Sequence, residues 1–61
     1  MRVATIFEDS SGEWRWNVRA GNGEIIAQSE GYTRKADAER GLNDAHIEYD
    51  NLVFDAGPTS S

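Results

Sequence analysis

Arg15, Asn17 and Arg19 alternate with Trp14, Trp16, Val18 and Ala20 in the stretch EWRWNVRA. Side chains at every second position of an extended chain share one face, so the guanidinium and amide groups line one side and the apolar groups the other. If the chain folds back at Asn22-Gly23, then Gln28 and Glu30 join the polar side and Arg15 lies opposite Glu30. Two guanidiniums, two amides and one carboxylate in a stripe are suited to holding a small anion or a peptide. The plain alternative is a solvated face with a cross-strand Arg15–Glu30 pair, which stabilises little. Arg15 and Arg19 are also the groups through which this face would touch nucleic-acid phosphates. The net charge of −5 argues against that, because phosphate affinity comes from a positive field. Trp14 and Trp16 could stack bases or sugars, but their alternation with Val18 and Ala20 points to the core.

Other chemistries find few residues. There is no cysteine and one histidine, His46. That excludes a cysteine-based zinc site and disulfides, and His46 alone makes no histidine-based site. No nucleophile, base and acid fall into a recognisable set. Glu30 and Tyr32 are the residual candidates for an enzyme reading, and the expectation is a protein that is not an enzyme and has no cofactor or metal. AGNGE has neither a GxGxxG nor a GKS/T pattern and joins two strands, so it is not a phosphate loop. Arg34-Lys35 at a helix start is a weak nucleic-acid signal and an unfavourable place for positive charge. His46 and Glu48 are expected to be solvated.

The elements that must position these groups follow from pattern. VATIFE, residues 3–8, is a β-prone run, and DSSG, residues 9–12, is a turn cluster. The strand 13–20 comes next. A two-residue type I′ turn at Asn22-Gly23 would place Gly21 opposite Glu24, Ala20 opposite Ile25, Val18 opposite Ala27 and Trp16 opposite Ser29. The first strand has two registers. A four-residue loop sets Phe7 beside Trp14 and Val3 beside Val18; a slip of one brings Ile6 to that face instead. Thr33 is the expected helix N-cap. Ala38, Leu42, Ala45 and Tyr49 recur at helical spacing, which predicts a helix ending near Asp50-Asn51. Gly41 inside it costs about 1 kcal/mol against Ala, and close packing on the sheet, under a tryptophan for example, would explain it. Leu52, Val53 and Phe54 read as a fourth strand.

Residues 13–45 resemble the YegP-like family of small proteins of unknown function. The resemblance is carried by Trp14-Arg15-Trp16, Asn22-Gly23-Glu24, Ile26-Ala27, Ser29-Glu30-Gly31-Tyr32 and Gly41-Leu42. Asn17 departs from the family's usual basic residue in that strand, and the residues after the helix differ as well. The resemblance implies three strands, one helix and one strand, with such units paired as a tandem repeat or as two chains that exchange the C-terminal strand. It brings no reaction, cofactor or catalytic residue.

Sixty-one residues form one domain with a modest core, and such chains often rely on a staple. Without disulfide or metal, the remaining staple is a second copy. The expected architecture is therefore α+β, a three-stranded antiparallel meander, a helix and a C-terminal strand, exchanged between the chains of a homodimer through Leu52, Val53 and Phe54. The domain is expected at residues 1–56 and a flexible tail at 57–61. The expected function is a non-catalytic binding or interaction module for an unidentified protein or small ligand, with Arg15, Asn17, Arg19, Gln28 and Glu30 as candidate ligand-binding residues. Nucleic-acid binding through Arg15 and Arg19, and a small enzyme, are the alternatives. No stretch reaches the roughly 18 apolar residues of a membrane span and no signal peptide is evident, so a cytoplasmic location is expected. Eleven acidic residues against five arginines and one lysine suggest a salt-adapted, halophilic surface.

Overall fold

The computed structural model describes residues 1–55; the tail expected at 57–61, with residue 56, lies outside the described residues. Four strands and one helix follow in the order β1 (Val3–Glu8), β2 (Trp14–Arg19), β3 (Ile25–Gln28), α1 (Lys35–Asp44) and β4 (Asn51–Asp55). They form one sheet with strand order β3-β2-β1-β4. The first three strands are the expected antiparallel meander, and β4 lies parallel to β1. The fold is α+β.

The core forms where the alternation of β2 meets the helix. Ala4, Ile6, Trp16, Val18, Ala38 and Leu42 are buried, with Trp14, Ala27, Tyr32 and Ile47 packed around them. Of the two registers open to β1, the slipped one is adopted. Ile6 pairs with Trp16 and Ala4 with Val18, so Val3 and Phe7 turn to the opposite face with Arg19 and Arg15. Alternation explains the choice, because it places both Ala4 and Ile6, fully buried, beneath the helix.

The β2–β3 hairpin keeps the expected pairs Val18–Ala27 and Trp16–Ser29 but not the outer two. Ala20 donates to the Glu24 carbonyl at 2.9 Å, and Ile25 pairs with Arg19, with a register shift between Val18 and Arg19. The cause is the turn. Gly23 N–H donates to the Ala20 carbonyl at 2.9 Å, and Gly23 has φ +88° while Asn22 does not have positive φ. A type I′ turn needs positive φ at both Asn22 and Gly23; here the longer turn with a single left-handed glycine forms instead. Asn22 Oδ1 accepts the Glu24 N–H at 3.0 Å and holds it. Ile25 therefore leaves the apolar face and is 42% exposed.

The helix is shorter than its apolar spacing suggests. Arg34, with extended backbone, is the N-cap, and it makes no side-chain capping bond; Thr33 lies one residue outside. At the other end His46 has φ +56°, which stops the helix at Ala45. Ala38 and Leu42 are buried as expected, but Ala45 and Tyr49 are exposed and Ile47 takes the place beside the core. The chain must reverse here to start β4. Asp50 N–H donates to the Arg2 carbonyl at 2.9 Å and Arg2 N–H donates to Asp50 Oδ2 at 2.7 Å, which fixes the new strand beside β1.

Candidate functional site

α1 packs over β1 and β2 on one side of the sheet. The other side carries the polar stripe. Asn17 pairs with Gln28 and Thr5, Arg19 with Ile25 and Val3, and Arg15 with Phe7, so four of the five predicted residues share that face. Val53 of β4 extends the row of Gln28, Asn17 and Thr5. Glu30 lies beyond the end of β3 and makes no ion pair with Arg15. Ser29 N–H donates to the Trp16 carbonyl at 2.9 Å, and Tyr32 exchanges two hydrogen bonds with Trp14, each 2.7 Å. An unbroken register would set Gly31, not Tyr32, opposite Trp14. Glu30 and Gly31 together therefore face Arg15, a bulge that breaks the register at the end of the ladder. Ser29 repairs the ladder there: its hydroxyl accepts the Trp16 N–H at 2.9 Å and donates to the Glu30 carbonyl at 2.8 Å.

The expected Arg15–Glu30 pair is replaced by Arg15–Asp9, with Arg15 Nε 2.6 Å from Asp9 Oδ2. Asp9 opens the β1–β2 turn. Its Oδ1 accepts the Ser11 N–H at 2.9 Å, the Ser11 hydroxyl at 2.7 Å and the Glu13 N–H at 3.0 Å. The Arg15 guanidinium, with the Ser11 hydroxyl and the Glu13 N–H after it, holds the Asp9 carboxyl well below the usual carboxylate range. The same bond to Asp9 raises Arg15 above its already high value, so it stays cationic. Arg19 donates to the Gly23 carbonyl at 2.8 Å. Both arginines of the stripe thus serve turns. Asn17 Oδ1 is buried and has no hydrogen-bond partner.

Trp16 is only 6% exposed, a core residue and not a stacking platform. Two grooves mark the surface of the described residues, and Arg15, Asn17, Arg19, Gln28 and Glu30 line neither of them. The stripe is an open face, suited to a flat partner. The first groove is lined by the α1–β4 connection and the start of the chain, including Arg2, His46, Tyr49 and Asp50. The second runs along α1 and contains Trp16, Tyr32, Asp37, Arg40, Gly41 and Asp44. The stripe-centred reading of the sequence missed this groove, although Gly41 was its signal. A Cβ there would lie 2.8 Å from Tyr32 Cζ and collide with the hydroxyl, so the glycine admits Tyr32, not a tryptophan, against the helix. Lys35, at the unfavourable end of the helix dipole, stands 4.3 Å above the Phe54 ring and 5.9 Å from the Trp14 ring, a cation–π position that accounts for it.

Among the described residues no cluster of three histidine or acidic side chains is placed to hold a metal ion. No helix among them is long and apolar enough to cross a membrane. The site and fold describe a small α+β domain with four strands among the described residues, one helix-covered face and one face on which the polar stripe alternates with Val3, Phe7, Ile25 and Val53. The chain belongs to the DUF1508 family, a domain of unknown function, whose model matches residues 9–45. A UPF0339 protein of Neisseria meningitidis serogroup B is 47% identical over 38 residues, 62% of this chain and 68% of that protein. A UPF0339 protein of Agrobacterium fabrum is 55% identical over 31 residues, 51% of this chain and 50% of its own length. One from Treponema denticola is 43% identical over 37 residues, 61% and 64% of the two chains. No solved structure matches significantly. The match takes in the YegP-like pattern of residues 13–45 and begins at Asp9, the residue that organises the first turn.

Proposed function

We propose that this chain is a non-catalytic, homodimeric binding module whose two copies meet along β4. The observation that carries this reading is the state of β4. Leu52, Val53 and Phe54 are 40%, 45% and 48% exposed on a strand that ends the sheet. Leu52 and Phe54 pair with the fully buried Ala4 and Ile6, so they lie on the helix side of the sheet, but α1 packs over β1 and β2 and reaches this strand only through Lys35 above the Phe54 ring. A flat apolar edge with open hydrogen-bonding groups recruits another strand unless something blunts it. A second copy meeting the first through the same edge gives a closed two-fold interface. Exchange fits the same geometry, with each chain lending its β4 to the partner's β1. Covering Phe54 contributes roughly 2 to 3 kcal/mol per chain by area.

The polar face is the proposed ligand surface, with Asn17 at its centre. Phosphate binding is less supported, since Arg15 is held by Asp9 and Arg19 by the Gly23 carbonyl in a chain of net charge −5. The test of the module reading is melting at different protein concentrations for the native chain and for Phe54→Lys. A melting temperature that rises over about a hundredfold concentration range in the native chain, and does so less in the variant, is expected. A concentration-independent melt in both contradicts the proposal.

A further inference from the structure

The way two copies join rests on the β4 dimer proposed above and is decided by the backbone. Hydrogen-bonding direction alternates along a strand, so it can be followed across the sheet. Asp9 N–H donates to the Glu13 carbonyl at 2.8 Å, two residues beyond the pair Phe7–Arg15. The odd-numbered residues of β1 therefore bond to β2, and Ala4 and Ile6 are left to bond to β4. Asn51 N–H accordingly donates to the Arg2 carbonyl at 3.3 Å. In this parallel register Asn51 and Val53 direct their backbone groups at β1, and those of Leu52 and Phe54 point away from it, toward the edge. Leu52 and Phe54 also carry the side chains that are 40% and 48% exposed on the helix side. The same two residues thus present both the hydrogen-bonding edge and the apolar surface. The edge at β3 is shorter, and its register shifts between Val18 and Arg19, which blunts it.

We infer that two copies join edge to edge in antiparallel register centred on Val53, each keeping β4 on its own β1. A two-fold axis makes the strands antiparallel, and the hydrogen-bonded pairs must then fall on Leu52 and Phe54 of both copies. The centre at Val53 meets this condition and pairs all five residues of the strand. Leu52 falls opposite the partner's Phe54, and Phe54 opposite the partner's Leu52, so apolar meets apolar on the helix side. A centre at Leu52 would set Phe54 opposite Asp50, and a centre at Phe54 would carry Leu52 past the end of the strand. Val53 faces the partner's Val53 as a non-hydrogen-bonded pair on the other side of the sheet. It continues the row of Gln28, Asn17 and Thr5, so the two polar stripes become one surface shared by both chains.

The chain has no cysteine, so single-cysteine variants report the register directly. Cα atoms of a non-hydrogen-bonded antiparallel pair lie about 4.5 Å apart, within the roughly 4.4–6.8 Å that a disulfide spans. Leu52 is displaced from the partner's Leu52 by two residues, about 7 Å along the strand, which puts that pair out of reach. Val53→Cys and Leu52→Cys, both at exposed positions outside the core, are oxidised mildly at micromolar concentration, and the native chain is sedimented under the same conditions. Val53→Cys is expected to form a disulfide-linked dimer at least about tenfold faster than Leu52→Cys, and the native chain to sediment as a dimer. A native dimer in which Val53→Cys links no faster than Leu52→Cys overturns the register and leaves the β4 dimer standing, strand exchange included. A native chain that sediments as a monomer overturns both.

Discussion

Asp9 is the side chain on which the first turn depends. It accepts from Ser11, Glu13 and Arg15 at once. Asp9→Asn should lower the melting temperature at neutral pH. Its pKa is depressed in the folded chain, so the stabilisation is present in full above the unfolded value of about 3.9 and is lost as pH falls toward the folded value. The difference between native and variant melts should stay level from pH 7 to about 5 and shrink in stronger acid; a difference that grows on acidification would contradict the assignment. Gly41 makes the opposite kind of prediction. Helix propensity alone would make Gly41→Ala stabilising by about 1 kcal/mol. The Tyr32 ring stands where the new Cβ would go, so the variant should be less stable, and Tyr32→Phe, which removes the nearest atom, should recover part of the loss. A thermal melt of the two single variants and the double decides it. The alternation of Trp14 to Ala20 made the two faces of β2 legible from the sequence, and with them most of the stripe. The Asp9–Arg15 pair was not legible, because the bulge at Glu30–Gly31 is set by tertiary pairing of Tyr32 with Trp14 and leaves no mark on local spacing.

At the level of elements, the strands could be read from local periodicity and the helix start to within one residue, since Arg34 and not Thr33 is the N-cap. The helix end could not. Ala45 and Tyr49 continue the apolar spacing, but the reversal that brings Asp50 to Arg2 requires a left-handed residue, and His46 occupies it without the usual glycine. His46→Gly should therefore stabilise the chain by about 1 kcal/mol, measured by chemical denaturation. An unchanged or lower midpoint would mean that His46 makes compensating contacts. Asn22-Gly23 misled for a related reason: the pair is compatible with two hairpin turns, and only the backbone shows that Gly23 alone is left-handed. Lys35 ties the helix start to β4 through Phe54, so Lys35→Ala should cost roughly 0.5–1 kcal/mol even though it removes an unfavourable charge from the helix N-terminus.

For the whole molecule, charge and edge are the properties that matter. Net charge −5 on 61 residues makes the chain repel itself, and molar salt shortens the Debye length to about 3 Å. The melting temperature should rise as sodium chloride is raised from about 0.1 M to several molar; a flat or falling trend would remove the salt-adapted reading. The β4 edge bears on the central claim, that the folded unit is two chains. Light scattering at micromolar concentration, in the salt where the protein is most stable, tests it most directly. A particle of twice 6.8 kDa is the expected result, and a well-folded particle of 6.8 kDa would contradict it.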